Sequence, residues 1–444
     1  MGLFPINNRK FVLLFIYGLM IFTFSCKNYS KEKKLSQQEI IYKEYAYNTY
    51  LQINQDNKLK DEGIKNFVSS LDLEEKIAQL FLVNLEGNKS FYPVEFDLEK
   101  KPIIPGGYLF FSYNIASSPS EVQSFTKSIM QYCIDNNYLP PILTLDQEGG
   151  VVNRLRGITS PLPSAQLIAS RMDKENATKL YSFQAEQMNS LGFHMNLAPV
   201  AEICDVSNYE FLGNRSYGDI KSVKLFASGA VQGFQRQKIL SVVKHFPGNT
   251  NVDPHTGLPE ISLPWDELEK QYLQVFQSIL NYGPKAVLMS HVRTSAQDAE
   301  TPACLSKFWI NDILREKYDY SGLIISDDIF MAALEKNGFP PEKAVVMAVE
   351  AGVDLIMLSE KRFYDSLLIL KEKALMDSSF MQKIDTSVKR IIEAKVNVGL
   401  FNFIKTESGY KIEPAELKEN SIEKFNVAFS EGLKLYNQFF GANK

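Results

Sequence analysis

Short apolar runs alternate with stretches of helical spacing along most of this 444-residue chain. The runs are apolar throughout rather than at every second position, which is typical of strands buried on both faces of a parallel sheet. Eight runs are predicted to be strands, at 77–85, 107–113, 142–146, 194–199, 239–244, 286–292, 323–327 and 353–358; the first is equally compatible with a helix, since 74–82 also has helical spacing. Helix-like stretches separate them, for example at 120–136, 222–237, 267–282, 307–317 and 341–351. This alternation predicts an α/β fold, a TIM-like (β/α)8 barrel forming a single domain, with a doubly wound open sheet as the alternative.

Ionisable side chains directly follow several of the predicted strands. Asp146, the pair Lys244 and His245, then His291 and Asp327 each stand at the end of an apolar run. In a barrel the carboxyl ends of the strands surround one pocket, whereas in an open sheet they are spread along an edge. The positions of these charges therefore favour the barrel and predict a functional site at its carboxyl end.

The loop after the fifth predicted strand, KHFPGNTNVDPHTGL at 244–258, carries two of the four histidines. Asp253 and His255 lie two residues apart, and Pro254 between them disfavours a helical conformation for Asp253. Side chains two apart in an extended chain project to the same side, so the carboxylate reaches the imidazole. A carboxylate in that place favours the protonated ring and fixes its tautomer. We therefore predict that His255, oriented by Asp253, donates and accepts protons.

Asp327 and Asp328 place carboxylates at the end of the seventh predicted strand, where they suit a nucleophile or a metal ligand. A carboxylate nucleophile facing a proton shuttle is what retaining glycoside hydrolysis requires. A metal site formed by these acidic residues and histidines is the alternative, but the neighbouring lysine and arginines would repel a cation. We therefore predict neither a metal nor another cofactor. A net charge of −4 and the lack of a long basic run argue against nucleic acid as a partner.

The first 26 residues are predicted to be a targeting segment rather than part of the fold. Arg9 and Lys10 precede an apolar run of fourteen residues at 11–24, a length typical of a signal-peptide core. The run ends at Ser25-Cys26, as in a bacterial lipoprotein signal, so Cys26 is predicted to carry a lipid that anchors the protein to the membrane. The protein is then expected in the bacterial cell envelope, facing the periplasm or the surface. An uncleaved anchor with an incidental cysteine is the alternative.

Five motifs, in order, make the chain resemble glycoside hydrolase family 3, and in particular its β-N-acetylglucosaminidase branch, over roughly residues 71–400. The motifs are LDQEGGVVNRL at 145–155, NLAPVAEICDV at 196–206, NRSYG at 214–218, KHFPG at 244–248 and SDDIFMAAL at 326–334. One of them alone would be a weak signal, whereas all five in the family's order are a strong one. The domain prediction follows: signal peptide at 1–26, tether and lead-in at 27–64, barrel at 65–402, and a C-terminal extension at 403–444 with a helix that packs on the barrel.

The resemblance implies a retaining exo-β-N-acetylglucosaminidase. It acts on terminal β-linked N-acetylglucosamine of peptidoglycan fragments, including muropeptides, or of chitooligosaccharides. Asp327 would be the nucleophile that forms a covalent glycosyl-enzyme, and His255 the acid/base, oriented by Asp253. Five further residues would bind the sugar: Asp146, Arg154, Arg215, Lys244 and His245. The protein is expected to be a monomer.

The chain departs from the family pattern at three places. Val151 stands where an arginine is usual, Glu202 falls near an expected aspartate, and Asn249-Thr250 replace the usual His-Gly after KHFPG. Two alternative functions stay open: a phosphate-dependent β-N-acetylglucosaminide phosphorylase and a sugar-binding lipoprotein that has lost catalysis. Cysteines 133, 204 and 304 form no CxxC motif and are predicted to pack as small apolar residues.

Overall fold

The structure is a computed structural model that describes residues 37–253, 257–417 and 421–441, without the side chains of 37–44, 47 and 48. The predicted signal peptide and Cys26 lie outside these residues. No helix within the described ranges is both long and apolar enough to cross a membrane. The chain divides into two units, one that ends at Glu62 and one that begins at Gly63. The boundary falls within a single helix, Gln37–Ser70.

Eight parallel strands form the central sheet of the second unit. They are β1 (Phe81–Asn84), β2 (Gly107–Phe110), β3 (Ile142–Leu145), β4 (Met195–Asn196), β5 (Leu240–Phe246), β6 (Ala286–Met289), β7 (Leu323–Ile325) and β8 (Ile356–Leu358). Their order is β7-β6-β5-β4-β3-β2-β1-β8. The two ends of this order meet: the amide of Asp354 donates to the carbonyl of Ile324 at 2.8 Å, and that of Ser326 to the carbonyl of Leu355 at 3.0 Å. The sheet therefore closes, and the predicted (β/α)8 barrel is confirmed.

Helices surround the barrel and connect its strands. The longer ones are Pro119–Asp135, Lys174–Ser190, Ile220–Arg236, Pro341–Ala351, Tyr364–Met376, Ser378–Val398 and Ile422–Phe440. Shorter α-helices are Leu73–Gln79, Ala165–Arg171, Tyr209–Leu212, Trp265–Leu268, Gln274–Leu280 and Ala332–Lys336. Two segments are π-helical, Glu269–Leu273 and Phe308–Lys317, and three short 3-10 turns are Ser112–Asn114, Gly213–Arg215 and Ala303–Leu305.

The prediction of a first strand at 77–85 was wrong for the first part of that range. Residues Leu73–Gln79 form a helix, and the strand is confined to Phe81–Asn84. Asp72 caps this helix by accepting from the amide of Glu75, whose side chain in turn accepts from the amide of Asp72. Such a reciprocal cap satisfies two amide donors at the helix start, and it favours the helical alternative that the spacing of 74–82 left open.

All strand residues of the barrel are buried, and helices cover the outside of the sheet. Two short strands, Gln147–Gly149 and Val152–Asn153, form a hairpin immediately after β3. Two others, Glu260–Ile261 and Arg293–Thr294, pair beyond the carboxyl ends of β5 and β6. These two pairs of short strands lie at the carboxyl end of the barrel, where the loops after the strands form the active site in barrels of this kind.

The C-terminal residues add a hairpin, Phe401–Thr406 with Gly409–Pro414, and the helix Ile422–Phe440. The helix contacts Lys174–Ser190 and buries Phe425 and Ala428. The sequence prediction for this region contained the helix but no hairpin.

Candidate active site

Four charged side chains form a network at the carboxyl end of the barrel. Lys244, at the end of β5, places its Nζ 2.7 Å from Asp146 Oδ1 and 2.6 Å from Glu148 Oε1. Arg215 donates from Nε and Nη2 to the two oxygens of Glu148, both at 2.9 Å. A guanidinium bonded through two nitrogens fixes the orientation of a carboxylate more firmly than a point charge does. Glu148 is thus held by two cations.

Burial and charge oppose each other in this network. Burial alone would raise the pKa of Glu148, but Lys244 and Arg215 beside it lower the pKa to about 2. Burial would likewise lower the pKa of Lys244, and Asp146 and Glu148 reverse this, so that its pKa lies above the usual value. The same opposition, with Glu148 as the main partner, raises the pKa of Arg215. Glu148, Lys244 and Arg215 are therefore charged at neutral pH.

The hairpin after β3 is responsible for the position of Glu148. Gly149 has φ +102°, and a Cβ there would lie 2.2 Å from the carbonyl oxygen of Pro163. Gly150 follows with φ +58°, and a Cβ there would lie 2.7 Å from the Cβ of Ser164. Only glycine fits this turn, because a side chain would meet both a disfavoured φ and a neighbouring backbone. The two glycines thus allow the chain to fold back directly after Glu148.

Arg154 lies at the far end of the same hairpin. Its Nη2 is 3.7 Å from Asp146 Oδ2, and its guanidinium lies 5.5 Å from the centre of the Phe111 ring. A cavity of about 560 Å³ opens beside it, lined in part by Val151, Asn153 and Arg154. Such a volume is within the range of small-molecule sites.

A second buried pair stands beside the charged network. His245 Nδ1 is 2.6 Å from Glu202 Oε1, and the amide of His245 donates to the same oxygen at 3.2 Å. Asn249 also donates to Glu202 Oε1, at 3.3 Å, so the residue that departs from the family pattern supports this carboxylate. The ring of Phe211 packs on His245 with 6.1 Å between centres.

Asp327 lies just beyond β7 and is partly accessible, with 16% of its side chain exposed. Its Oδ1 accepts from the amide of Asp328 at 2.9 Å. Asp328 is more buried and accepts from the amide of Phe330 at 3.0 Å, which stabilises the loop. His291, at the end of β6, faces Asp327 with 3.9 Å between its Nε2 and Oδ2 of the carboxylate.

The predicted acid/base loop is described only in part. Asp253 is exposed, and its carbonyl accepts from the amide of Gly257 at 3.1 Å. His255 lies outside the described residues. Asn251, two residues before Asp253, connects this loop to the loop after β4 by two hydrogen bonds. Its amide donates to the carbonyl of Ser207 at 2.7 Å, and its side-chain oxygen accepts from the amide of Glu210.

Among the predicted site residues, the structure brings Lys244 and Arg215 together around Glu148. Lys244 and Arg154 both lie beside Asp146. Sequence reasoning missed Glu148 and gave Glu202 no role. Glu148 belongs to the DQEGG motif, and its position two residues after Asp146 was the available signal. The expectation that Cys304 merely packs was also incomplete, because its Sγ lies 3.2 Å from His291 Nδ1. The described part of the chain contains no group of three His, Cys, Asp or Glu side chains that could hold a metal ion.

Comparison with known proteins assigns the chain to a family. Residues 72–394 match the glycosyl hydrolase family 3 N terminal domain. The chain belongs to glycosyl hydrolase family 3. The resemblance inferred from the five motifs is therefore confirmed, and with it the class of glycoside hydrolases.

Three members show how far the similarity of this family 3 chain extends. A β-hexosaminidase of Haemophilus influenzae is 30% identical over 292 residues, which cover 63% of this chain and 79% of that protein. Beta-hexosaminidase A of Pseudoalteromonas piscicida is 26% identical over 321 residues, 66% of this chain; the chain spans about half of that relative, 53%. The structure of a family 3 β-N-acetylglucosaminidase from a Paenibacillus species matches with a TM-score of 0.66 at 28% identity, over 82% of this chain and 69% of that one.

Proposed function

We propose that this protein is a retaining exo-β-N-acetylglucosaminidase that removes terminal β-linked N-acetylglucosamine from small saccharides. The names of the relatives support this activity, since they are β-hexosaminidases and a β-N-acetylglucosaminidase. The observation that carries the proposal is the pairing of an accessible carboxylate, Asp327, with a charged network at the same end of the barrel. A fixed network is suited to bind hydroxyl groups, and a carboxylate outside it is available to react.

In the first step, an oxygen of Asp327 attacks the anomeric carbon. The bond from that carbon to the aglycone oxygen breaks, and the leaving oxygen takes a proton from His255. In the second step, His255 removes a proton from water, the water oxygen attacks the same carbon, and the bond to Asp327 breaks. Two displacements restore the original configuration, and this is the retaining outcome.

The remaining predicted residues would bind the sugar. Asp146 and Lys244 form a largely buried ion pair, and hydrogen bonds between charged groups and hydroxyls are stronger than neutral ones. His245, held by Glu202, offers its other ring nitrogen to the substrate. Arg215 supports this surface through Glu148, and Arg154 borders the adjoining cavity. Peptidoglycan fragments and chitooligosaccharides are the saccharides that we propose as substrates.

The cellular setting is a separate proposal, supported by the sequence pattern at the N-terminus. A lipid on Cys26 would hold the catalytic domain, residues 65–402, in the cell envelope by way of the segment 27–64. Metabolic labelling with a fatty acid tests this. The wild-type protein should incorporate label, and Cys26→Ser should not; equal labelling of both would contradict the anchor.

The activity is tested with paired chromogenic substrates, a β-N-acetylglucosaminide and a β-glucoside, each with and without phosphate. We expect turnover of the former that phosphate does not change. Strong acceleration by phosphate would identify a phosphorylase, and sugar binding without any turnover would identify a binding protein that has lost catalysis.

The variant Asp327→Asn is expected to retain the fold and to lose at least about 10³-fold in kcat, because an amide is a poor nucleophile. Asp328→Asn is the matched control, and it should lose far less if Asp328 only stabilises the loop. Near-normal turnover by Asp327→Asn would contradict the proposed mechanism.

A further inference from the structure

His291 is a buried residue whose two ring nitrogens face different groups. Only 1% of the residue is exposed. Nδ1 lies 3.2 Å from the Sγ of Cys304, and Nε2 lies 3.9 Å from Oδ2 of Asp327. Within the described part of the chain, Nε2 makes no hydrogen bond of regular geometry, although the backbone of Asp328 lies close enough to the ring to act on the pKa of His291. A buried ring nitrogen without a regular hydrogen bond is uncommon, and this one faces the carboxylate proposed to react.

The backbone fixes Cys304 against His291. The amide of Cys304 donates to the carbonyl of Ser290 at 3.0 Å, and the amide of Ala303 donates to that of Val292 at 2.9 Å. These bonds join the 3-10 turn Ala303–Leu305 to the residues on either side of His291. The contact between thiol and ring is therefore set by main-chain geometry and not by a mobile side chain.

Protonation states decide the direction of that contact. Burial raises the pKa of the Cys304 thiol well above its usual value, so the thiol keeps its proton. Burial lowers the pKa of His291 although Asp327 and Asp328 act in the opposite sense, and the nearby His245 lowers it further. A neutral imidazole has one donor and one acceptor. If the thiol donates to Nδ1, the ring proton must be on Nε2, the nitrogen that lies 3.9 Å from Oδ2 of Asp327.

We propose that His291, held in one tautomer by Cys304, is a positioning residue for the carboxylate of Asp327. The proposal rests on the proposed function, in which Asp327 is the nucleophile. The amide of Asp328 already fixes Oδ1 at 2.9 Å. A donor at Oδ2 would fix the second oxygen and so define the plane in which the carboxylate meets the anomeric carbon. The present 3.9 Å is too long for a hydrogen bond, and catalytic hydrogen bonds often shorten only when substrate is bound.

The kinetic test compares variants at both positions. His291→Phe keeps an aromatic ring and removes the donor, and we expect kcat to fall roughly 100-fold with little change in KM, as expected for a misplaced reacting group. Cys304→Ala removes the proton donor to Nδ1 and should lower kcat about 10-fold, whereas Cys304→Ser restores a donor and should retain most of the activity. If Cys304 only filled space, alanine would be tolerated at least as well as serine. The proposal would be overturned if Cys304→Ala were at least as active as Cys304→Ser. It would also be overturned if His291→Phe had the kcat of the wild-type protein.

The pH dependence supplies a readout that packing alone would not change. A donor to a carboxylate lowers its pKa, so its loss in His291→Phe should move the acidic limb of kcat/KM to higher pH. The titratable groups that face His291 are Asp327, Asp328, His245 and Cys304, and none is altered in this variant. In Cys304→Ser, the acidic limb of kcat/KM should lie at the same pH as in the wild-type protein. A lower kcat with an unmoved limb in His291→Phe would mean a structural role and would overturn the proposal.

The two proposals fail in different ways. If the wild-type protein is active and Asp327→Asn is inactive, but His291→Phe keeps both kcat and its acidic limb, only the role of His291 is wrong. If Asp327→Asn is active, or the wild-type protein turns over no substrate, the proposed function is wrong and the role of His291 falls with it. Unfolding curves of each variant establish that the fold is retained.

Discussion

Glu148 is the residue on which the charged network depends most. It is the shared partner of Lys244 and Arg215, and all three side chains are largely buried. Removal of one partner from a buried ion pair typically costs about 3–5 kcal/mol, because the remaining charge is left in a poorly solvated place. We expect Glu148→Gln to lower the free energy of unfolding by about 3 kcal/mol and to weaken substrate binding. Chemical denaturation and KM measure the two effects.

An exposed ion pair provides the control. Glu175 pairs with Lys179 at 2.8 Å on a helix surface, with 79% of the glutamate side chain exposed. Glu175→Gln should cost less than about 1 kcal/mol, as exposed pairs do. If Glu175→Gln and Glu148→Gln lowered the free energy of unfolding equally, Glu148 would not be the buried partner of two cations that we describe.

The buried carboxylate of Glu148 should also make the stability of the fold depend on pH. The pKa of Glu148 falls from 4.5 to about 2 on folding. A lowered pKa stabilises the folded state at pH values above 4.5, and this contribution disappears as the pH falls towards 2. The difference in unfolding free energy between the wild-type protein and Glu148→Gln should therefore be largest above about pH 5 and shrink between pH 5 and 2. A constant difference over that range would show that Glu148 acts by packing alone.

At the level of residues, the sequence identified charges at strand ends but not their partners. Asp146 and Lys244 could be predicted because each follows an apolar run. The bond from Arg215 to Glu148 depends on contacts between residues 67 positions apart, which no local pattern encodes. The contact between Cys304 and His291 was missed for the same reason.

Among the elements, the hairpin Gln147–Gly149 with Val152–Asn153 depends on glycine at position 149. Ala at position 149 would have to adopt φ +102° and place its Cβ 2.2 Å from the Pro163 carbonyl oxygen. We expect Gly149→Ala to cost roughly 3 kcal/mol, because backbone strain and overlap add. It should also lower kcat/KM, since Glu148 and Arg154 lie on this hairpin.

Gly157 is the matched control for this substitution. It has φ +84°, and a Cβ there would meet nothing within 4 Å. Gly157→Ala should therefore lower the free energy of unfolding only by the backbone strain, about 1–2 kcal/mol. If Gly149→Ala and Gly157→Ala lower the free energy of unfolding equally, the contact between the added Cβ at position 149 and the carbonyl oxygen of Pro163 does not destabilise the fold.

Elements with strong local signals were predicted well, and those set by tertiary contacts were not. The helix Pro341–Ala351 has the predicted bounds, and Phe308–Lys317 nearly so. The strand Met195–Asn196 is shorter than its apolar run, since strand length depends on where neighbouring strands end. The hairpin at Phe401–Thr406 was not predicted, because its two strands expose much of their surface and lack a long apolar run.

For the molecule as a whole, the C-terminal helix Ile422–Phe440 is predicted to be an integral part of the folded domain. Gly432 faces Ser160, whose Oγ would lie 2.4 Å from an added Cβ. Ser160 is buried and its Oγ accepts from Gln184 and Gln187, both at 2.9 Å, so it cannot turn away without losing these bonds.

Two tendencies therefore oppose each other in Gly432→Leu. Helix propensity would stabilise the variant by up to about 1 kcal/mol, whereas the clash with Ser160 destabilises it by about 2–3 kcal/mol. We expect a lower melting temperature. Val427→Leu, at an exposed position of the same helix, should change it little. A higher melting temperature in Gly432→Leu would mean that the helix does not pack as described.

The covalent intermediate at Asp327 is the central claim, and trapping it is the most direct measurement. A fluorinated β-N-acetylglucosaminyl fluoride that forms the glycosyl-enzyme faster than it is hydrolysed should label the protein, and peptide mass spectrometry should locate the sugar. We predict one label per chain, on the peptide and side chain of Asp327, and none in Asp327→Asn. A label on Asp328 or on another carboxylate, or steady turnover of substrate with no label at Asp327, would contradict the account.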